Sequence, residues 1–598
     1  MADQKDAIAS ALKLLQQGDG AAADAALTAL EAGGDPRVLH ALGTIRMRQR
    51  RFADAEELFA RGWERAPQQP QIALALGRAL VEQGRDAEAA AAFEAAVALK
   101  SDFHEALYEL GGALQRLRRL EDAERAFSDL LALAPAFVPA QLALGGVLIE
   151  AARAPDAETV LRAALANPSP PRLAAMLHTN LGLALRHQRR DDEALAQYDQ
   201  ALALEPALPG LDIHRAEALQ NLKRYDEALA IYRAALAARP EDAEVHRLTN
   251  DLLYRLNRSD DYLQSYTRAP QSRVLLLGKA QFLAQEKRGE ECLTIYRELL
   301  SRDPADPRAA LGVAQALTML NRPQDAVGAY DALLSRHGGD APLFSRAAEA
   351  ALLAGDPERA LDLCGQGLGI APHDQSALAA MSVALRLMQD ERDEALNGYD
   401  SLIRVFDLEP PQGFSSMEDF NAELNAWLDR LHPDTREHVN QSLRGGTQTP
   451  DHVFGAGHTL VDRLETRIRE AVTRYVAELK EDAAHPFLSR RARAFRYAGS
   501  WSSRLKDCGF HVNHIHPEGW ISSCYYIAVP GAAKDESARQ GWIKFGEPGF
   551  DVGLAARRSV QPVPGRLVLF PSYMWHGTIP FHDAQARTTI AFDAVPWL

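Results

Sequence analysis

The sequence predicts two kinds of structure in one chain: an all-α solenoid of paired helices, then a domain whose last hundred or so residues form short β-strands. Three observations favour this fold class. Small residues recur every 34 positions over the first two thirds of the chain, the pattern stops near residue 407, and alternating runs of β-formers follow from about residue 493. A chain of 598 residues is also too long for one hydrophobic core.

The repeat consists of a small residue followed 16 positions later by an aromatic one. The first three such pairs are Gly43–Phe59, Gly77–Phe93 and Gly111–Phe127. A proline often stands 24 positions after the small residue, as at Pro67 and Pro135. Each unit has the apolar spacing of two amphipathic helices, and the small residue lets the two helices pack closely. One pair cannot bury its apolar face alone, so the units are expected to stack into a continuous core.

This 34-residue period, with its small, aromatic and proline positions, resembles the tetratricopeptide repeat. The resemblance implies about eleven helix pairs within residues 1–407 and a concave groove that binds a peptide or a partner protein. Self-association through the solenoid is equally open. The repeat frame is degenerate in the stretch "NDLLYRLNRSDDYLQSYTRAPQS", residues 250–272.

Composition indicates which kinds of partner and which cellular compartment to expect. The net charge is −15, and residues 408–598 contribute only 21 Lys and Arg against 22 Asp and Glu, so the repeats carry most of the negative charge and no nucleic-acid partner is expected. No apolar run reaches about 18 residues, so no membrane span is expected. The start of the chain lacks the apolar core of a secretory signal. Four cysteines without CxxC spacing favour a reduced, cytoplasmic location.

A linker at Pro410 and Pro411 separates the predicted solenoid, 1–407, from a second domain, 408–598. The lead-in, 408–492, predicts two helices, "SMEDFNAELNAWLDRLH" and "GHTLVDRLETRIREAVTRYVAELK", joined by a loop, "NQSLRGGTQTPDH". The core, 493–598, predicts short alternating strands with Gly and Pro turns, which are typical of a sandwich or barrel.

The chemistry is concentrated in "GFHVNHIHPEGWISSCYYIAVP", residues 509–530. His514 and His516 stand two positions apart, and alternation along a strand sends both imidazoles to one face. His576 follows about 60 residues later, and Arg587 opens a further strand, "RTTIAFD", with Thr589 two positions on. A His-x-His pair alone is a weak metal signal, and the order of these residues is what strengthens it.

That order resembles the iron(II)/2-oxoglutarate oxygenase superfamily. The stretches "SWSSRLKDCGFHVNHIHPEGWISSCYYIAVP", "WIKFGEP" and "GRLVLFPSYMWHGTIPF" are similar to a 2-oxoglutarate–iron oxygenase family often found behind repeat domains. The resemblance covers roughly 410–598. It implies a double-stranded β-helix, or jelly-roll, core, so the full prediction is a tetratricopeptide-type superhelical solenoid followed by an α+β domain built on that core. It also implies Fe(II) and 2-oxoglutarate as cofactors and O₂ as the oxidant.

Carried across residue by residue, the resemblance makes His514 the first iron ligand and His576 the distal one. It makes Arg587 the anchor for the far carboxylate of 2-oxoglutarate, which the planar guanidinium fork matches. Thr589 joins that cosubstrate site. Tyr526 would add a hydroxyl to the same carboxylate, with a purely structural place in the core as the alternative.

The family's acidic ligand is absent, because His516 occupies its position. Three outcomes are open: His516 binds the metal, it points away and leaves a two-histidine site, or Glu518 serves as a shifted acid. We favour His514, His516 and His576 as ligands, and we expect His511 to face elsewhere. Trp520, Trp575 and Phe592 are expected to keep the site dry. No catalytic residue separate from the metal ligands is predicted.

Three functions remain open at this stage. The first is a dioxygenase that hydroxylates a peptide or protein held by the solenoid. The second is a cupin-like metalloprotein that does not use 2-oxoglutarate, since "GRLVLFPSYMWH" also fits that superfamily. The third is a repeat scaffold whose oxygenase domain is degenerate. Arg587 separates the first from the second, because only the first needs a carboxylate anchor.

Overall fold

The computed structural model describes residues 9–597 except 12, 15, 16, 18, 257, 259, 260, 433–441, 450 and 451. The chain divides into two compact units, Met1–Ala235 and Leu236–Leu598. Within the described residues there are 26 α-helices and nine β-strands, and all the strands follow the helical repeats. None of the described helices is both long enough and apolar enough to cross a membrane.

The first unit is built from helix pairs of nearly constant length. Its helices are α1 Gly20–Thr28, α2 Pro36–Arg48, α3 Phe52–Arg65, α4 Pro70–Val81, α5 Asp86–Leu99, α6 His104–Arg116, α7 Leu120–Leu133, α8 Val138–Glu150, α9 Ala154–Leu165, α10 Pro171–His187, α11 Asp191–Leu204, α12 Leu211–Asn221 and α13 Tyr225–Ala238. The helical solenoid predicted from the 34-residue period is therefore confirmed.

The small residue of each repeat is required by close helix packing. A Cβ atom added to Gly77 would lie 2.3 Å from the ring of Phe93, and one added to Gly43 would lie 2.4 Å from the ring of Phe59. Both rings are almost completely buried. The spacing of 16 residues therefore reports a steric contact between the two helices of one pair.

The second unit continues the repeats and then adds the β-rich region. Its helices are α14 Ala243–Arg255, α15 Gln264–Arg268, α16 Arg273–Gln285, α17 Gly289–Arg302, α18 Pro307–Met319, α19 Pro323–His337, α20 Ala341–Leu353, α21 Pro357–Ile370, α22 Gln375–Leu387, α23 Arg392–Asn397, α24 Tyr399–Leu402, α25 Met417–Leu428 and α26 Thr459–Glu478. The degenerate repeat at 250–272 has a second helix, α15, of only five residues.

The strands form two antiparallel sheets. They are β1 Arg404–Asp407, β2 Leu443–Gln448, β3 Ala494–His511, β4 Ile521–Ala528, β5 Ile543–Phe545, β6 Arg558–Val560, β7 Arg566–Pro571, β8 His576–Thr578 and β9 Arg587–Trp597. The larger sheet has the order β1-β7-β4-β9-β3-β2 and the smaller one β6-β5-β8. The region is thus rich in antiparallel strands, and its assignment as a double-stranded β-helix stays a prediction.

Two strands lie outside the region 493–598 in which strands were expected. The stretch predicted as a loop between the lead-in helices contains β2, which pairs with β3. Its glycines allow that pairing, since a Cβ at Gly446 would lie 2.2 Å from the carbonyl oxygen of Arg504. The other is β1, which precedes residue 408 and pairs with β7. The domain boundary at 407/408 stays a prediction.

Candidate active site

One cavity of about 390 Å³ brings the predicted site together. His514, His516 and His576 line it, together with Arg587 and Thr589. His514 and His516 follow the end of β3, His576 starts β8, and Arg587 and Thr589 lie at the start of β9. The sequence prediction that the histidines and the arginine share one site is consistent with this geometry.

The three histidines form a compact group of possible metal ligands. One ring nitrogen from each lies within 4.8 Å of the others, and the Nε2 atoms of His516 and His576 are 3.3 Å apart. His514 is not in a regular strand. It forms an isolated antiparallel bridge with His576, in which each backbone N–H donates to the other residue's carbonyl, at 2.9 and 3.1 Å. This bridge sets the two rings side by side, with centroids 4.3 Å apart.

Backbone carbonyls fix the tautomers of two of these rings. The Nδ1 of His514 lies 2.7 Å from the carbonyl oxygen of Val512, and the Nδ1 of His576 lies 3.0 Å from that of Met574. A carbonyl can only accept, so each Nδ1 carries the proton and donates it. Each Nε2 is then unprotonated, which is what a metal ion requires of imidazole, and Ser442 Oγ lies 3.3 Å from the Nε2 of His514.

The third ring is oriented by a carboxylate that the sequence analysis missed. The Nδ1 of His516 donates to Asp593 Oδ2 at 2.8 Å, and Ser522 Oγ donates to Asp593 Oδ1 at 2.6 Å. Ser522 in turn lies 2.8 Å from the hydroxyl of Ser572. The indole of Trp501 stacks on the other side of His516, at 5.5 Å and 13°. An acidic side chain thus lies behind the ring of His516, although the residue two positions after His514 is not acidic.

Burial keeps the imidazoles of His514 and His576 uncharged. Desolvation lowers the pKa of His514 to about 3, and the neighbouring His516 adds to the effect. Desolvation also lowers the pKa of His576 well below its usual range, again with the nearby histidines contributing. Both rings are therefore neutral at neutral pH, which is the state that binds a metal ion.

Arg587 is a buried cation without a carboxylate partner among the described residues. It is 2% exposed, its Nε has no hydrogen-bond partner, and its guanidinium is 3.9 Å from the sulfur of Cys524. The guanidinium also lies over the ring of Tyr526, 5.0 Å from its centroid. A buried charge is costly unless an opposite charge compensates it. An anion that entered the cavity would compensate this charge.

The two hydroxyl residues predicted beside Arg587 differ in position. Thr589 lines the cavity and is 2% exposed. Tyr526 is fully buried under the guanidinium and is absent from the cavity lining, and its hydroxyl has no hydrogen-bond partner in the part of the chain that the structure describes. Burial raises the pKa of Tyr526 well above its usual range, so the hydroxyl keeps its proton and is available as a donor.

Glu518 and His511 both lie near the three histidines, but they differ in exposure and in their contacts. Glu518 lines the cavity but is exposed, and it does not belong to the group of clustered ligand atoms. His511 was expected to face elsewhere, and that expectation is wrong, because it lines the cavity and its ring stacks on His514 at 5.8 Å. The strand parity used for that expectation fails because β3 ends at His511.

The aromatic residues expected around the site lie elsewhere. Trp520, Trp575 and Phe592 are not part of the cavity lining, whereas Trp501 is. Trp520 is buried in the core, where its Nε1–H donates to the carbonyl of Phe487 at 3.0 Å. The expectation that those three line the site and keep it dry is therefore wrong. Alternation along β9 turns Phe592 away, whereas Trp520 and Trp575 precede β4 and β8, where their hydrogen bonds to Phe487 and Ala379 set their direction.

A second group of possible ligands lies at the surface. Asp507, Cys508 and His582 bring one ligand atom each to within 4.8 Å of one another, and all three residues are exposed. This group is separate from the cavity, so its variants can serve as controls for metal binding there.

Residues 499–593 match the sequence family described as "Putative 2OG-Fe(II) oxygenase". The chain therefore carries a domain that matches this oxygenase family. Tetratricopeptide-repeat families match residues 40–102, 74–136, 108–169, 142–209, 185–252 and 277–342. The repeats predicted from the 34-residue period are thereby confirmed, and so is their combination with an oxygenase domain.

Several solved repeat structures are similar to this chain. The yeast Tom70 structure is 15% identical, covers 66% of this chain and 97% of its own, and has a TM-score of 0.33. YrrB, described as a TPR protein with an unusual peptide-binding site, is 18% identical over 32% of this chain and 96% of its own, at 0.29. A thermophilic TPR protein from Thermus thermophilus is 26% identical over 31% of this chain and 99% of its own, at 0.26. No curated protein matches the chain.

Proposed function

We propose that this protein is an iron(II)/2-oxoglutarate-dependent dioxygenase that hydroxylates a peptide or protein presented by its repeats. The observation that carries the proposal is the buried, unpaired Arg587 in the same cavity as three clustered histidines. Metal ligands alone would suit many metalloproteins. A buried cation without a carboxylate partner, in the same cavity as these histidines, favours a dicarboxylate cosubstrate.

The residues present fit both groups. His514, His516 and His576 would hold the iron through their Nε2 atoms, since their Nδ1 atoms are engaged in hydrogen bonds. Three protein ligands leave positions open for a bidentate 2-oxo acid and for O₂. When bound, iron(II) and 2-oxoglutarate supply the oxidative chemistry, in which O₂ is reduced, 2-oxoglutarate becomes succinate and CO₂, and a substrate C–H bond is hydroxylated.

The protein's own part is binding, orientation and exclusion of water. Arg587 would pair with the far carboxylate of 2-oxoglutarate, Thr589 would donate its hydroxyl to the same group, and Tyr526 would support the guanidinium from below. Asp593 holds the ring of His516 and places a negative charge close to the metal position. Trp501 covers the far side of that ring and limits the access of water.

The test is an anaerobic titration of the apoprotein with Fe(II) and then with 2-oxoglutarate, recorded as the visible charge-transfer band of the chelated 2-oxo acid. We expect a band in the wild type, none in His576→Ala because the metal is lost, and none at moderate 2-oxoglutarate concentrations in Arg587→Ala. The matched control for Arg587 is Arg566→Ala, since Arg566 pairs with Asp407 outside the cavity. A Cys508→Ser/His582→Gln variant controls for the surface group.

Each alternative outcome has a meaning. Metal binding without a band would favour the cupin-like function, and loss of the band in Arg587→Ala and Arg566→Ala alike would show a general loss of structure. An intact fold that binds no Fe(II) would favour the degenerate scaffold.

The polypeptide substrate is proposed from the repeats, which stack helix pairs into an extended surface of the kind that binds peptides. The measurement is an oxygen- and 2-oxoglutarate-dependent gain of 16 Da in a protein or peptide fraction, read by mass spectrometry. Turnover of a small molecule by a protein whose repeats bind no polypeptide would refute this part.

A further inference from the structure

Helix α22, the first helix of the last repeat, is buried on nearly every side. Ten of its 13 residues are buried, from Gln375 to Arg386. A solenoid helix normally buries one stripe, and a terminal repeat usually keeps a polar outer face. Here Leu378 and Leu385 belong to the apolar core of the oxygenase domain, while Val383 and Ala384 belong to the core of the preceding repeats. The helix is thus shared by two cores of the second unit.

Two side chains connect α22 to the backbone near His576. One is Trp575, the residue before His576 in the chain, and the other is Arg386, which contacts the residue that follows β5. Trp575 directly precedes His576, and its Nε1–H donates to the carbonyl of Ala379 in α22 at 3.2 Å. From α22 itself, the buried guanidinium of Arg386 donates to the carbonyls of Gly546 and Ala555.

Gly546 matters because of its place in the sheet. It follows Phe545, the residue of β5 that pairs with His576 across the smaller sheet. The N–H of Gly546 also donates to the carbonyl of Trp575 at 2.8 Å. Arg386 therefore holds the residue that follows the cross-strand neighbour of His576, while Trp575 holds the residue before His576 in the chain.

The next connection of this kind lies two residues before Trp575. The hydroxyl of Tyr573 donates to the carbonyl of Leu396 in α23 at 2.6 Å, and the side chain of Tyr573 is almost fully buried. Between the two anchored residues, the carbonyl of Met574 receives the Nδ1–H of His576. The carbonyl that orients the ring of His576 is thus held between two contacts with the last repeat.

We propose that the last repeat helps to form the oxygenase site. Its helix α22 positions the distal iron ligand His576 through Trp575 and Arg386. Trp575 and Arg386 are positioning residues, since they touch neither the metal position nor the cosubstrate. The inference rests on the proposed metal function.

The test measures metal affinity in the full-length chain without turnover. Trp575→Phe keeps an aromatic ring and removes the N–H donor together with part of the indole, a loss of volume that the control below shares. Loss of one hydrogen bond corresponds to roughly a two- to tenfold change in an equilibrium constant. We expect anaerobic Co(II) affinity to fall by that factor and the visible ligand-field spectrum of the bound Co(II) to change shape. Tyr573→Phe is expected to act in the same direction.

The matched control is Trp542→Phe. The Nε1–H of Trp542 donates to the carbonyl of Ala533, in the same domain, at 2.9 Å, so the hydrogen bond that is lost does not involve the repeats. Trp542→Phe should lower the melting temperature about as much as Trp575→Phe does, while leaving the Co(II) affinity and spectrum unchanged. Wild-type affinity and spectrum in Trp575→Phe and Tyr573→Phe would overturn the inference, as would equal losses in Trp542→Phe. If the wild-type protein binds no Co(II), the proposed function fails before the inference is reached.

Discussion

Replacement of Asp593 by asparagine tests whether the carboxylate behind His516 takes the place of the missing acidic ligand. Asp593 accepts one hydrogen bond from His516 Nδ1 and one from Ser522. Asparagine keeps an oxygen that can accept from His516 and removes the negative charge. We therefore expect Asp593→Asn to fold normally and to bind Fe(II) more weakly.

The magnitude follows from the type of bond that changes. A hydrogen bond to a charged group contributes about 1.5–3 kcal/mol, and one between neutral groups about 0.5–1.5 kcal/mol. The difference, about 1–1.5 kcal/mol, corresponds to a Kd for the metal that is roughly tenfold higher. Asp593→Ala removes the acceptor as well, and roughly 100-fold is expected, as for other residues that orient metal-bound histidines.

The assay is an anaerobic Fe(II) titration against a coloured competing chelator, with the fold followed by circular dichroism. The control is Asp551→Asn, since Asp551 is exposed and accepts only a local backbone N–H from Gly553 among the recorded contacts. A Kd in Asp593→Asn within twofold of the wild type, while His514→Ala abolishes binding, would refute the role assigned to Asp593.

Three further predictions concern stability. Gly312→Ala places a Cβ 2.4 Å from the ring of Tyr296 and should lower the free energy of unfolding by about 1–3 kcal/mol. Gly328→Ala meets no atom within 4 Å and should be neutral or raise that free energy by up to about 1 kcal/mol. Equal urea midpoints for the two variants would contradict this. Burial lowers the pKa of His485, so the folded protein binds fewer protons than the unfolded chain below pH about 6.5, and stability is lost as the pH falls. His485→Gln should flatten that loss by up to about 1.4 kcal/mol per pH unit, and parallel curves of melting temperature from pH 5 to 7 would exclude it. Gly446→Ala should unpair β2 and lower the melting temperature more than Gly328→Ala does, because its Cβ meets a backbone carbonyl that cannot move aside.

The repeats could be predicted from the sequence because their signal is local and periodic. The contact between Gly77 and Phe93 spans 16 residues and recurs in successive units, so one steric rule is visible many times. The start of β9 at Arg587 could be predicted for a similar reason, since a run of β-formers follows a turn.

The partner of His516 could not be predicted in the same way. Asp593 reaches His516 because β4 and β9 pair in a register that sets Ser522 opposite Asp593, and no local pattern encodes that register. The signal available was one acidic residue in the otherwise apolar strand "IAFDAV". The strand β2 was missed because two adjacent glycines indicate a loop, whereas here they let β2 lie against β3.

The places of His511 and Trp575 depended on where strands end. Alternation predicts one face for every second residue only while a strand stays regular, and β3 ends at His511. Trp575 faces α22 instead of the cavity because β8 begins at the next residue. Both errors have the same physical origin, which is that side-chain direction at a strand end is set by tertiary contacts.

The measurement that tests the central claim most directly compares 2-oxoglutarate with 2-oxobutanoate, which has the same metal-binding end and lacks the far carboxylate. Affinities of both for the Fe(II)-loaded protein are measured anaerobically in the wild type, in Arg587→Met and in the Arg566→Ala control. Breaking a buried charge pair costs about 3–5 kcal/mol, so the wild type should prefer 2-oxoglutarate by at least about 100-fold, and Arg587→Met should lose that preference. An equal preference in Arg587→Met and the wild type would contradict the account, since Arg587 would then not be the anchor of the cosubstrate.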